Sequence, residues 1–208
     1  MNNIQSRSAS LGADTYTVGS DYSGIVTKQY VTVGEHVKTG QPLFRIKSTV
    51  LSTDLSNGTI TKNDLAFAVD SDNQIVLEAT NAGTVSTIDY REGAFVPANK
   101  EVAAVTRDNS SYVIAKFDLN PPDYARIHTG DTLRVTLPNN QKVSAVIYSL
   151  TVEKSGDDTL TIITARIKNF SNSQFSAGTP VSAQLQLKGK SLYASSKETL
   201  QRLLKPKG

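Results

Sequence analysis

The sequence predicts an all-β protein of the sandwich or barrel type, and three observations predict it. Apolar and polar residues alternate along most of the chain, as in "TLRVTL" and "TLTIITARI", and this period of two is typical of β-strands. Glycine, proline and asparagine recur at short intervals, which indicates many short strands joined by turns. One stretch near the N-terminus is also repeated further along the chain.

Composition sets the outer limits. The chain has 208 residues, of which 38% are hydrophobic, so it can form one large or two small domains with a buried core. The net charge of +3 is small, and no basic stripe with interleaved aromatic residues indicates a nucleic-acid partner. The absence of cysteine excludes disulfides, thiolate metal sites and cysteine nucleophiles. No window resembles a membrane-spanning helix or a signal peptide.

The repeat decides the architecture. The stretch "SGIVTKQYVTVGEHVKTGQPLFRI" at residues 23–46 matches "AGTVSTIDYREGAFVPANKEVAAV", which begins 59 residues later. The matched pairs are Gly24 with Gly83, Val26 with Val85, Gly34 with Gly93, Val37 with Val96, Leu43 with Val102, and Ile46 with Val105. Three short strands cannot bury their valines alone. The two copies therefore predict one pseudo-symmetric β-sandwich, with residues 48–74 inserted between its halves.

The turns of each copy fall at glycine or asparagine. The first turn is predicted at Gly34 or Gly93 and the second at Gly40 or Asn99, because these residue types reach positive φ with little steric penalty.

Helical patterns are short. One is "PPDYARI" after Asn120, and the other is the terminal "SSKETLQRLLK". The terminal segment is predicted to form a helix with an apolar stripe and basic neighbours, which either docks on its own domain or touches an anionic membrane surface. Its residues are Leu200, Leu203 and Leu204 in the stripe, with Arg202, Lys205 and Lys207 beside it.

Several segments carry a resemblance to a known family. The first copy resembles the first half of a biotinyl/lipoyl-like domain, and "LEATNAGTVSTIDYREGAFVPANKEVAAV" resembles the second half. The next segment, "YVIAKFDLNPPDYARIHTGDTLRVTLPNNQKVSAVIYSL", resembles the β-barrel domain of the membrane fusion proteins. These are the periplasmic adaptors of bacterial efflux pumps and of haemolysin-type secretion systems. The order of the segments, over roughly residues 16–190, is more specific than any one of them.

The resemblance implies a domain plan. The plan has a flexible N-terminal segment at 1–15, a biotinyl/lipoyl-like domain at 16–106 with the insertion at 48–74, a β-barrel at 107–190, and a basic tail with a short helix at 191–208.

The resemblance also implies a function. We expect a non-catalytic adaptor without a cofactor, which scaffolds an inner-membrane transporter or an exopolysaccharide synthase in the cell envelope and assembles into a homo-oligomeric ring. A periplasmic or extracytoplasmic location is expected, with a membrane anchor upstream of Met1.

The insertion departs from the family. Most adaptors carry a long α-helical hairpin between the two halves, whereas "STVLSTDLSNGTITKNDLAFAVDSDNQ" is short and has no heptads. The sequence is therefore identified as a hairpin-less member, similar in layout to the periplasmic part of the membrane subunit that partners alginate polymerisation. An outer-membrane channel stays a candidate partner, although the hairpin that usually contacts it is missing.

The insertion also supplies the candidate site residues. Leu51, Leu55, Leu65 and Phe67 alternate with polar residues there. They either pack on the edge of the sandwich or form a docking tip for a partner.

Two alternative functions remain. A biotin or lipoate carrier needs a lysine at the tip of the hairpin that joins the two halves. Lys47 leads instead into the insertion, and Lys100 lies in the second turn of the second copy, so both are predicted to be solvated turn residues. A nucleic-acid-binding barrel is the other alternative, although few aromatic residues cluster for base stacking.

Candidate metal ligands are few. His36 and His128, the only histidines, lie near turns and lack the partners of a zinc site or a catalytic triad. "DSDNQ" at residues 70–74 begins like a calcium loop, but Ile75 stands where that loop needs glycine and Asn81 where it needs glutamate. A polar turn is predicted, with a calcium loop as the alternative.

Overall fold

The computed structural model describes residues 2–155, 158–168 and 175–187, and strands dominate it. The strands are β1 Asn2–Gln5, β2 Ser8–Gly12, β3 Thr15–Ser20, β4 Gly24–Gln29, β5 His36–Val37, β6 Pro42–Lys47, β7 Ala68–Val69, β8 Ile75–Glu78, β9 Gly83–Ile88, β10 Phe95–Val96, β11 Lys100–Arg107, β12 Tyr112–Phe117, β13 Thr132–Thr136, β14 Lys142–Ser155, β15 Asp158–Ile167 and β16 Ser182–Leu187. The helices are α1 Thr49–Ser56 and α2 Pro121–Tyr124, with a 3-10 turn at Lys62–Asp64. The all-β prediction is confirmed. The predicted C-terminal helix lies outside the described residues.

The chain forms two compact units. One is Ala13–Ser110, which contains both copies of the repeat. The other contains the residues up to Gly12 together with most of the chain from Ser111 onward.

The first unit is a sandwich in which the two copies exchange strands. Its five-stranded sheet has the order β10-β4-β6-β8-β7, and its four-stranded sheet has the order β3-β11-β9-β5. The short strand β5 of the first copy pairs with β9 of the second, and β10 of the second copy pairs with β4 of the first. Each copy therefore completes the sheet of the other, and both copies form one sandwich, as the repeat predicted.

The repeat is longer than the matched sequence stretches. Gly40 donates its backbone N–H to Ala79 O at 2.7 Å, and Asn99 donates its N–H to Ser20 O at 2.9 Å. These two hydrogen bonds are related by the same offset of 59 residues. Strands β3 and β8 are consequently equivalent, and each copy has four strands where the sequence predicted three.

The core of the sandwich is built from the matched apolar positions. All eight valine, leucine and isoleucine residues of the matched pairs are buried: Val26, Val37, Leu43, Ile46, Val85, Val96, Val102 and Val105. Burial of each such side chain contributes roughly 1.5–3 kcal/mol. Gly24 and Gly83 are required for another reason, because a Cβ at either position would collide with the backbone of the neighbouring strand. The matched pattern therefore marks packing and close approach.

The second unit is the barrel. Its seven strands have the order β1-β16-β13-β14-β15-β12-β2. The sheet curls until Leu11 of β2 donates its N–H to Thr179 O at 2.9 Å, just ahead of β16. Helix α2 follows β12, where the Asn120 side chain accepts the Asp123 N–H at 2.8 Å and two prolines occupy the first helical positions. The predicted short helix is present there, although it ends at Tyr124.

The N-terminal segment differs from the prediction. Residues 1–15 were expected to be flexible, whereas β1 pairs with β16 and β2 pairs with β12 over most of this range. Leu11 is buried in the barrel core, and Ser6 donates its N–H to Ala183 O at 2.8 Å. The physical reason is that a barrel needs strands to satisfy its open edges, and here these strands come from the start of the chain.

Candidate functional site

The insertion between the two halves folds onto the sandwich. Helix α1 begins at Thr49 after Ser48, a buried residue whose Oγ accepts the Leu51 N–H at 3.2 Å. Ser48 is thus a typical N-cap. Ser52 donates its hydroxyl to Ser48 O at 2.8 Å, and Thr53 and Ser56 bond the helix backbone in the same way. These short polar side chains donate hydrogen bonds to carbonyl groups of the helix and its cap. The Leu51 side chain packs in the core of the sandwich.

Asp70 fixes the far end of the insertion. Its Oδ1 accepts the N–H groups of Asp72 and Gln74, both at 2.9 Å, and its backbone oxygen accepts the Lys62 ammonium at 2.7 Å. Its Oδ2 lies 3.0 Å from Arg45 Nε. That contact lacks hydrogen-bond geometry, so we treat it as an ion pair. The carboxylate therefore organises a turn that ties the insertion to β6.

A groove of about 510 Å³ lies beside the insertion. It is lined by residues 17–19 of β3, residues 39–40, residues 65–68 of the insertion and residues 76–80 at the end of β8. Each of the two sheets contributes a strand edge to the groove. In the four-stranded sheet this is β3, the end strand. In the five-stranded sheet it is the end of β8, because β7 pairs only with the first two residues of that strand. The groove therefore combines strand backbone with an apolar wall.

The four candidate docking residues divide into two kinds. Leu51 is fully buried, which leaves its side chain no surface to offer a partner. Leu55, Leu65 and Phe67 are partly buried and pack against the sandwich core. Of these, Leu65 and Phe67 line the groove, and the Phe67 ring meets the Tyr22 ring edge to face with centroids 6.0 Å apart. Docking at these two residues stays a prediction.

The two lysines considered for a carrier function lie in strands. Lys47 is the last residue of β6 and is paired in register with Ile25. Lys100 is the first residue of β11, directly after Asn99, which has a φ of 59°. Neither lysine is at the tip of a hairpin that joins the two halves.

The histidines lie on the surface near turns. His36 Nε2 is 2.8 Å from Asp108 Oδ2, and both side chains are about half exposed. His128 Nδ1 is 3.9 Å from Asp131 Oδ2. In the part of the chain that the structure describes, no three histidine or acidic side chains come together as metal ligands would. The segment 70–74 is the turn organised by Asp70.

An exposed apolar pair was missed by the sequence reasoning. Ile25 of β4 and Phe95 of β10 are register partners, and their side chains are 51% and 60% exposed. The offset of 59 residues could have found them, because Phe95 corresponds to His36 and Ile25 to Thr84. His36 and Thr84 are likewise register partners. One side of the pseudo-symmetric sandwich is thus apolar where the equivalent side is polar.

Comparison with known proteins places the fold. No protein-family model and no curated protein sequence matches the chain. Solved structures do: ZneB from Cupriavidus metallidurans is 13% identical with a TM-score of 0.62, covering 90% of this chain and 98% of that one. The periplasmic adaptor protein EmrA is 12% identical with a TM-score of 0.58, covering 89% of this chain and 99% of that one. The membrane fusion protein Spr0693 from Streptococcus pneumoniae R6 is 14% identical with a TM-score of 0.58, covering 92% of this chain and all 100% of that one.

None of the helices in the described ranges is long and apolar enough to cross a membrane. At sequence identities of 12–14% the similarity to these structures shows the fold alone. The chain has the fold of the membrane fusion proteins, which are periplasmic adaptors.

Proposed function

We propose that the chain is a non-catalytic adaptor of a cell-envelope export or secretion complex, where it scaffolds an inner-membrane transporter or an exopolysaccharide synthase. The observation that carries the proposal is the succession of a split sandwich and a barrel, which is shared with EmrA and Spr0693 over about nine tenths of the chain. The proposed location is the periplasmic side of the envelope. An outer-membrane channel is a further candidate partner.

Docking on the inner-membrane partner is assigned to the insertion. Leu65 and Phe67 form an apolar wall of the groove, and Leu55 lies partly exposed on α1. Fully buried Leu51 instead holds α1 against the sandwich. The insertion would act as a rigid contact surface where most adaptors carry a helical hairpin.

Assembly into a ring is assigned to the exposed pair Ile25 and Phe95. A head-to-tail contact between copies joins two different surfaces, and we assign this apolar surface as one of them. Such contacts close into a ring when the rotation between neighbours allows it. The side chains that would be buried are apolar and aromatic, as in the centre of stable interfaces.

Deletion of the gene in its native host tests the export role. Protein secretion, exopolysaccharide release and resistance to toxic compounds would be measured in the deletion strain and after complementation. We expect one of these to fail while the wild-type chain restores it, and the affected substrate then distinguishes a transporter from a synthase. Intact export in the deletion strain would contradict the proposal.

Intact mass tests the carrier alternative. After co-expression with a biotin or lipoate ligase, we expect the mass of the unmodified 208-residue chain. An added cofactor mass on Lys47 or Lys100 would make the chain a carrier domain.

A further inference from the structure

We propose that the open edge of β3 binds an extended segment of a partner protein, which joins the four-stranded sheet as an additional strand. β3 stands at the end of that sheet and pairs with β11 on one side. No strand of the described ranges covers its other side. The groove of about 510 Å³ runs between residues 17–19 of this strand and residues 65–68 of the insertion.

The pairing with β11 fixes the direction of the backbone groups of β3. Arg107 donates its N–H to Asp14 O at 2.9 Å, so these two residues form a hydrogen-bonded pair, and the register continues without a bulge from there to Thr17. Hydrogen-bonded and non-hydrogen-bonded pairs alternate along an antiparallel ladder. Thr15 and Thr17 therefore direct their N–H and C=O groups away from β11, toward the open edge.

The pseudo-equivalent edge already carries such a strand. Thr17 corresponds to Val76 of β8 by the offset of 59 residues, and Val76 pairs with Ala68 of β7. Strand β7 has two residues, both of them small or apolar, and Phe67 precedes it. At Thr17 no strand of the described ranges pairs with the equivalent backbone groups. A segment with side chains like those of β7 can therefore pair with β3 as β7 pairs with β8.

The lining of the groove sets the chemistry of the bound segment. Glu78 is the one charged residue among those that line it, and Leu65 and Phe67 supply an apolar wall. An uncharged segment with small and apolar side chains fits this surface. In strand addition the backbone hydrogen bonds supply affinity and the pockets for alternate side chains supply specificity. The edge would accept such a strand whether or not the chain serves in an export complex.

A peptide copied from the chain tests the site. The probe is the acetylated and amidated peptide LAFAV, residues 65–69, titrated into the full-length ¹⁵N-labelled chain. We expect the amide signals of Thr15 and Thr17 to shift and their hydrogen exchange to slow at saturation. The same peptide with N-methyl groups on alternate residues cannot complete the ladder, so we expect it to bind about tenfold more weakly or worse.

Two variants of one residue provide the matched control. Thr17→Pro removes the N–H that faces the open edge, a position where proline is tolerated in an edge strand, whereas Thr17→Val keeps it. We expect Thr17→Pro to lose binding by about tenfold or more and Thr17→Val to retain it.

Three results would overturn the proposal: unchanged Thr15 and Thr17 signals, equal binding of the N-methylated peptide, or a dimer that Thr17→Pro abolishes. The dimer would make a second copy the occupant of the edge. If Thr17→Pro fails to fold, the comparison of the two peptides on the wild-type chain decides.

Discussion

Gly34 and Gly93 occupy the same place in the two halves of the sandwich, with φ values of 89° and 87°. Each donates its backbone N–H, at 2.8 Å, to a valine of the other half. Neither half can therefore complete its sheets alone, and the two segments fold as one unit although an insertion separates them. The pseudo-symmetry also gives an internal reference, because the equivalent position in the other half shows a second residue type that the same backbone geometry accepts.

The turn glycines give the first prediction. Gly34→Ala and Gly93→Ala should each lower the free energy of unfolding by about 1–2 kcal/mol, because alanine is strained in the left-handed region. No atom lies within 4 Å of the added Cβ at either position, so the backbone conformation alone is responsible. Urea unfolding measures the change. Gly34→Asn is the control and should lose less, and an alanine variant as stable as the wild type would contradict the prediction.

Leu51 gives the second prediction, with its neighbour as the control. The Leu51 side chain is fully buried, whereas Val50 is 52% exposed on the same helix. Leu51→Ala should destabilise the sandwich by about 2–5 kcal/mol through lost burial and a cavity. Val50→Ala should change stability by about 0.5 kcal/mol or less. Equal effects on urea unfolding would mean that α1 does not pack on the sandwich.

Much of the sandwich was predictable because its signals are local and repeated. Val26 and Val85 recur at one spacing with their turn glycines, and buried strands of a sandwich demand such a pattern wherever they occur. The extension of the repeat to β3 and β8 could not be read in the same way. Val18 and Leu77 are equivalent and buried, but their neighbours differ too much in sequence to align.

Other elements depend on distant contacts. α1 has eight residues, which is too short for a clear helical period, and it is held by the burial of Leu51. β1 pairs with β16 near the opposite end of the chain, and no local pattern shows that partner. The groove also escaped prediction, because it arises where the insertion approaches the free edge of β3. The candidate residues Leu65 and Phe67 were found as apolar positions, while their place on the groove wall required the fold.

The ion pair of the insertion gives the third prediction. The Arg45 and Asp70 side chains are 34% and 14% exposed, with Nε and Oδ2 3.0 Å apart. A double-mutant cycle with Arg45→Met and Asp70→Asn should give a coupling energy of roughly 1 kcal/mol, after allowance for solvent screening. Lys116 and Glu153 on the barrel are the control: they are also 3.0 Å apart, but 40% and 50% exposed. Their coupling should be smaller and should fall further in salt.

The exposed pair on the sandwich gives the fourth prediction. If Ile25 and Phe95 form the contact between copies, Phe95→Ser should shift the chain toward monomer in sedimentation velocity across a concentration series. The reason is that an aromatic residue at the centre of an interface carries much of its binding energy. Val152→Ser on the barrel is the matched control, since Val152 is also more than half exposed. Equal association of both variants with the wild type, or a monomeric wild type at every concentration, would contradict ring assembly through this surface.

Asp64 in the insertion gives a pH-dependent prediction. Its Oδ2 accepts the Thr61 hydroxyl at 2.8 Å and the Thr61 N–H at 2.9 Å. These hydrogen bonds, the one from the hydroxyl first, hold the pKa of Asp64 below its ordinary value of 3.8. A pKa that is lower in the folded than in the unfolded chain stabilises the turn above the unfolded value. That contribution is lost as the pH falls through the folded value.

Titration of the Asp64 carboxyl carbon by NMR measures this effect. Thr61→Ala removes the hydroxyl, so the pKa of Asp64 should rise toward 3.8, and the turn at Lys62–Asp64 should loosen at a higher pH than in the wild type. Thr59→Ala removes a nearby hydroxyl that has no hydrogen bond to Asp64 in the structure, and it should leave the titration unchanged. The same Asp64 midpoint in wild type and Thr61→Ala would show that the Thr61 hydroxyl does not stabilise the carboxylate.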